Sequence, residues 1–187
     1  MSKSKSKSKS KSKSKSFMMG SAENAMAAKF NKLDSGDIGS NSLTELLNSK
    51  KKYKNFILEL DYKTSEPKAN SGIFLRVPDI PVSDDYIYHS FEIQINDAGK
   101  GKHKTAAVYD AQAASKDASK PTGERNHYKI TFQDSRIQVE LNGEQVNDWL
   151  ARPSGKVADF SEEGYIGLQN HDWDTNTYFR NIFIKEL

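Results

Sequence analysis

Phe91-Glu92-Ile93-Gln94-Ile95-Asn96-Asp97 alternates apolar with hydrogen-bonding side chains. In an extended strand Phe91, Ile93 and Ile95 point one way, and Glu92, Gln94 and Asn96 the other. Exposed strand faces are usually dressed with Thr, Lys and Ser. A carboxylate in line with amides is instead a set of groups suited to hydrogen-bonding hydroxyls. The pattern returns near the C-terminus, where Gln169 and His171 lie two apart beside Ile166 and Leu168. Two strands of this kind predict a binding surface on a sheet for a polyhydroxylated ligand.

Within that surface Glu92 is the candidate for proton transfer. A partly desolvated carboxylate rises in pKa far enough to act as acid or base; the plainer reading is an acceptor for a ligand hydroxyl. Gln94 and Gln169 cannot transfer protons at neutral pH and are assigned to binding. His171 opens the segment His171-Asp172-Trp173-Asp174 and reads as a general base, a metal ligand or a surface residue. Arg76 follows Phe74 at a spacing of two, and its planar donors suit carboxylate or vicinal hydroxyl groups. An ion pair between Arg76 and Glu92 is the structural alternative. Tyr109, Trp173 and Tyr86 are candidates to stack on the apolar face of a sugar ring, whereas Trp149 and Phe56 read as core. His89, His103 and His127 read as surface. No metal ligand set is assigned, and a divalent cation is the one cofactor considered.

Other chemistries lack their motifs. The chain has no cysteine, which removes disulfides and thiolate nucleophiles. G-x-S-x-G, the P-loop and H-E-x-x-H are absent from the sequence, and Asp34-Ser35-Gly36-Asp37 lacks the spacing and terminal Glu of an EF-hand. The formal charge of +3 depends on the Ser-Lys repeat of residues 1–16; setting aside its seven lysines leaves −4. The strict repeat reads as a disordered tag, with a natural polybasic arm as its competitor. Nucleic acid is therefore not an expected partner. Nor is a membrane, since no apolar run nears the ~20 residues of a spanning helix. A monomer is expected.

The elements that must position these side chains are strands. From Tyr53 onward, alternating runs are separated by Pro-, Gly- and Asp-rich loops. Strands are expected around 56–63, 71–77, 86–96, 105–109, 126–133, 136–141, 145–149, 164–170 and 177–185. Asn142-Gly143 is a two-residue hairpin signal, and Ala111 to Gly123 reads as a long connection with room for a helical turn. Little helix and many short strands predict an all-β antiparallel sandwich, a jelly roll. It is expected over residues 53–187, after a segment of uncertain structure at 17–52.

Several segments together resemble the 3-keto-disaccharide hydrolase domain family. They are Tyr53-Lys54-Asn55-Phe56-Ile57-Leu58-Glu59-Leu60, Asn70-Ser71-Gly72-Ile73-Phe74-Leu75-Arg76, Phe91-Glu92-Ile93-Gln94-Ile95, Lys120-Pro121-Thr122-Gly123-Glu124, Leu141-Asn142-Gly143, Gly164-Tyr165-Ile166-Gly167-Leu168-Gln169-Asn170-His171 and Phe179-Arg180-Asn181-Ile182. The family's usual opening strand has no clear counterpart in residues 17–49. The resemblance implies a concanavalin- or laminin-G-like jelly roll, a carbohydrate or keto-sugar glycoside as ligand, and a periplasmic or secreted location. It also implies two functions to be separated. One is cleavage of a 3-keto-glycoside by elimination and hydration, with Glu92 and His171 sharing the proton steps and Arg76 or a bound cation steadying the enolate. The other is sugar binding without turnover.

Overall fold

The structure is a computed structural model that describes residues 31–32, 38–40, 46–169, 171 and 175–187. The Ser-Lys repeat and Trp173 lie outside the described residues. Phe56–Thr64 is β4, in which every second side chain is buried. That alternation is what a sheet with one face on a core requires. Its neighbours are β7 (Asn126–Gln133) and β11 (Thr177–Glu186). Outward from these lie β1 (Asn31–Lys32), β8 (Arg136–Leu141) and β9 (Glu144–Leu150), giving a six-stranded sheet in the order β1-β11-β4-β7-β8-β9. Asn142 and Gly143 join β8 to β9 with positive φ at both residues (54° and 83°), as a type I′ turn needs.

The second sheet has the order β2-β3-β10-β5-β6, from β2 (Ile38–Ser40), β3 (Leu46–Ser49), β10 (Tyr165–Gln169), β5 (Ser71–Val77) and β6 (Phe91–Ile95). All pairings in both sheets are antiparallel. The protein is the all-β antiparallel jelly-roll sandwich that the alternation predicts. The sheets draw on chain before residue 53, because β1 pairs with β11 and β3 with β10.

The core fills the space between the sheets. Leu58, Leu60, Ile130 and Phe132 from one meet Ile73, Leu75, Phe91 and Ile93 from the other. Phe91 and Phe132 cross the interface edge to face at 5.7 Å. Each such side chain contributes roughly 1.5–3 kcal/mol by burial. A second, smaller cluster of Leu46, Phe74, Val77 and Tyr86 covers part of the outer face of the five-stranded sheet.

Three expectations differ. The strand expected over 86–96 begins only at Phe91, because Asp84–Tyr88 forms a 3-10 turn whose N-cap, Ser83, accepts a hydrogen bond from the Asp85 N–H. The strand expected over 105–109 is a single bridge, Val108 to Ile93, along the free edge of β6. The Ala111 to Gly123 connection contains no helical turn.

Candidate functional site

Strand register decides which polar side chains meet. Glu92 on β6 lies opposite Phe74 on β5, Phe74 opposite Gly167 on β10, and Gly167 opposite Asn48 on β3. Gln94 lies opposite Gly72 in the next row, and Gln169 opposite Leu46. Because Ile73, Leu75, Phe91 and Ile93 fill the inner core, parity puts Glu92, Gln94, Gln169 and Asn48 on the outer face. Strand spacing of ~4.8 Å makes the row from Glu92 to Asn48 about 14 Å long.

Glu92 is 8% exposed. Its side chain lies flat over Gly72; a Cβ there would come within 2.6 Å of the Glu92 Cγ. Gly72 is thus the residue that lets the carboxyl lie down. Among the described residues no group hydrogen-bonds this carboxyl, and burial pushes its pKa up to about 8, with Lys156 pulling the other way. Desolvation penalises the charged form, so Glu92 is mostly a neutral acid at pH 7.

The amides divide into two kinds. Gln94 is buried with its Oε1 accepting the Ile95 N–H at 3.0 Å, which locks its carbonyl end. Among the described residues Gln169 Oε1 and Asn48 Oδ1 are buried without a hydrogen-bond partner. Orphaned buried acceptors are costly, and on one face they call for a ligand that donates hydrogen bonds.

Arg76 does not join this face. Two residues of β5 stand against one of β10 between the Gly167–Phe74 and Tyr165–Val77 pairs, which is a β-bulge. Arg76 sits in it with φ at 57°. The extra residue turns Arg76 away from the side of Phe74 and Val77. Its Nε and Nη2 donate to the Lys54 carbonyl at 2.9 and 2.6 Å, Nη2 also donates to Asn55 Oδ1, and the guanidinium rests 3.6 Å from the Phe132 ring centre. At 2% exposure it is a structural clasp between the sheets. Neither expected role for Arg76, ligand donor or partner of Glu92, is what its contacts describe. The bulge is accommodated across the ladder by Gly164, where a Cβ would lie 2.5 Å from the Arg76 carbonyl oxygen.

At the free edge of β6 the Tyr109 N–H donates to the Glu92 carbonyl at 2.9 Å, next to the Ile93–Val108 bridge. Tyr109 is therefore the lateral neighbour of Glu92 on the same face. Lys156 Nζ donates to the Tyr109 hydroxyl at 3.1 Å and lies 4.9 Å from its ring centre. His103 packs on the same ring at 4.9 Å. Tyr86 is committed to the outer cluster, edge-on to Phe74 at 4.9 Å, and Trp149 and Phe56 belong to the inner core.

His171 is exposed, two residues beyond Gln169. His89 pairs with Asp159, His103 with Asp110 and His127 with Asp61. Among the described residues no three His, Asp or Glu side chains converge as a metal site, and no helix is long and apolar enough to cross a membrane.

Sequence reasoning missed Lys156, Asn48 and Gly72. Asn48 and Gly72 were open to a pairing argument once register was known. Lys156 sits in a turn that only the three-dimensional fold brings to Tyr109.

Residues 5–185 match the 3-keto-alpha-glucoside-1,2-lyase-like domain. A 3-keto-disaccharide hydrolase of Bacteroides thetaiotaomicron is 29% identical over 176 residues, covering 73% of this chain. The chain spans 60% of the length of that relative. A glycosyl-hydrolase-like protein of Parabacteroides distasonis superposes with a TM-score of 0.67 at 29% identity, covering 87% of this chain and 96% of that one. A carbohydrate-binding module from Bacillus subtilis shares the fold, with a TM-score of 0.51 at 16% identity over 75% of this chain and 81% of that one.

Proposed function

The chain belongs to the 3-keto-alpha-glucoside-1,2-lyase-like family, and from that premise we propose that the outer face of its five-stranded sheet binds a 3-keto-glycoside and cleaves it by elimination. The observation that carries this reading is Glu92: a buried carboxyl with no hydrogen-bond partner among the described residues and a pKa near 8, in one row with the orphaned acceptor of Asn48. The row of about 14 Å leaves length for two linked sugar rings. Gln169 and Asn48 accept hydrogen bonds from ring hydroxyls, and Tyr109 offers a ring to stack on.

A ketone at C3 acidifies the proton on C2. In its ionised form Glu92 takes that proton, and desolvation makes it a stronger base than a carboxylate in water. The C–H electron pair moves toward C3, leaving negative charge on the carbonyl oxygen. Collapse of this enolate breaks the bond from C1 to the glycosidic oxygen, which takes up a proton. Water then adds to the unsaturated sugar. His171 is the second proton carrier in this reading, serving the leaving oxygen. Gln94 braces β6 beside Glu92.

Glu92→Gln tests the reading. It keeps the shape and removes the proton exchange, so release of sugar from a 3-keto-glycoside should fall by roughly 10²–10⁴ while affinity for the glycoside persists. A protein that binds the glycoside without release, in wild type and variant alike, is a sugar-binding module, because the same orphaned acceptors serve binding alone. Release that survives His171→Ala removes the histidine from the scheme.

A further inference from the structure

The elimination leaves negative charge on the carbonyl oxygen, which a hydrogen-bond donor or a cation stabilises. Arg76 is turned into the sandwich and cannot do so. We propose that Lys156 is the group that stabilises the enolate oxygen, held for that purpose by Tyr109. The inference rests on the reading of Glu92 as the base.

Three features place the ammonium. The Tyr109 N–H to Glu92 carbonyl bond and the adjoining Ile93–Val108 bridge fix Tyr109 beside Glu92 on one face. Lys156 Nζ then lies on Tyr109 through both a hydrogen bond and the ring face. Finally, the turn carrying Lys156 is anchored. Ser154 and Val157 bridge each other, Val157 is buried, and the Ala158 N–H donates to the Tyr88 carbonyl at 2.8 Å. Gly155 has φ at 58°, and a Cβ there would lie 2.9 Å from Asp110 Oδ2. The turn is thus pressed against the residue that follows Tyr109.

The electrostatics agree with this placement. Among the described residues Lys156 is the charge that counters burial at Glu92. Its own pKa is raised, first by the Tyr109 hydrogen bond, so it stays an ammonium across the neutral range. In the reaction the C2–H bond breaks, the proton passes to the Glu92 carboxylate, and the electron pair becomes the C2–C3 double bond as C3=O becomes C3–O⁻. The Lys156 N–H donates to that oxygen without giving up its proton. No oxidant or reductant is consumed. Tyr109 is a positioning residue, and His103 packs against its ring at 4.9 Å.

The test follows enolate formation directly. Wild type, Lys156→Met and Lys156→Arg are incubated with a 3-keto-glycoside in D₂O, and deuterium entry at C2 is followed by NMR alongside sugar release. Lys156→Met, which keeps the aliphatic stem, should slow both by roughly 10²–10³, and Lys156→Arg should recover part of the loss. Binding of the parent, non-ketone disaccharide should change by no more than a few-fold. The pH at which activity turns should move upward in Lys156→Met, because a positive charge near Glu92 is gone. An active wild type with Lys156→Met within threefold of it overturns the lysine's role alone. A wild type showing neither exchange nor release overturns the reading of Glu92 and the lysine's role with it. Circular dichroism on each variant checks that the exposed substitution leaves the sandwich folded.

Discussion

Glu92→Gln should make the protein more stable at alkaline pH, by an amount that the burial of Glu92 sets. The folded carboxyl has a pKa of about 8 against 4.5 for the free group. A group raised in the folded state contributes stability that is complete below the unfolded pKa and is lost as pH climbs through the folded one. Wild type should therefore lose stability steadily between about pH 4.5 and pH 8, relative to a variant that cannot ionise. Integrating the linkage with those two values gives a relative loss of about 1 kcal/mol at pH 5, about 3 at pH 7 and nearly 5 at pH 9. The variant's advantage should thus grow by about 4 kcal/mol from pH 5 to pH 9. Gln has nearly the shape of Glu, and every other titrating group cancels between the two proteins. Urea unfolding at pH 5, 7 and 9, with equal m values as the control, reads the quantity directly. Stabilities that run parallel within about 1 kcal/mol across this range would mean that the carboxyl is hydrated in solution. The proton-transfer role would then lose its physical basis.

Three further outcomes follow from the same geometry. Arg76→Met should cost about 3 kcal/mol, since it orphans the Lys54 carbonyl and empties the clasp over Phe132, yet leave affinity for the glycoside within about twofold; a selective loss of affinity would return Arg76 to the binding face. Gly72→Ala should cost roughly 1–3 kcal/mol by driving the Glu92 side chain off its seat, and it should lower turnover more than thermal stability; wild-type turnover would show that the carboxyl need not lie there. Burial alone would raise the Asp61 pKa, but hydrogen bonds from His127 and Asn181 hold it below 3.8, while His127 is raised above 6.5 chiefly by the Asp61 hydrogen bond. The carboxyl's share of stability is lost as pH falls through its lowered value and the imidazole's as pH rises through its raised one, so Asp61→Asn should lower Tm most between about pH 4 and 6.5. His127 is half exposed, so solvent screening keeps that loss near 1 kcal/mol or less, and a loss that is flat with pH would refute the pairing.

What the sequence disclosed depended on whether alternation stayed unbroken. Phe91–Ile95 and Ile166–Gln169 run without interruption, so parity alone put Glu92, Gln94 and Gln169 on one face. Arg76 failed the same argument because a single extra residue in β5 reverses its side. The signature of that bulge is Gly164, just before β10 and far along the chain, where a side chain would strike the Arg76 backbone. The short strands at Asn31–Lys32 and Ile38–Ser40 carry no period to read, and they exist by pairing with β11 and β3. Lys156 lies in a four-residue turn with no local pattern. Its place comes from packing against Asp110 and Tyr88, contacts between segments distant in sequence.

The outer face is also divided in a way that composition hides. Leu46, Phe74, Val77 and Tyr86 seal one part of it as a small core, and Gly167 permits this because a Cβ there would lie 2.6 Å from a Leu46 methyl. The polar groups are thereby held against an apolar wall. Phe74, a member of that wall, lies directly opposite Glu92, and a carboxyl buried with no hydrogen-bond partner among the described residues costs stability at neutral pH. The inner core of the sandwich is large enough to carry that cost. Rigidity comes from the ladder: Glu92 is fixed by β5 on one side and by the Tyr109 N–H on the other, so the base and the tyrosine that holds Lys156 share one backbone frame. A displacement of the 105–109 segment would move both together. The acid–base behaviour of Glu92 and the position of the ammonium should therefore fail jointly when that edge is loosened, as by Val108→Gly, and separately when either side chain is changed alone. Equal loss of C2 exchange and of the alkaline pKa in Val108→Gly, set against exchange lost with the pKa shifted upward in Lys156→Met, would distinguish a shared frame from two independent residues.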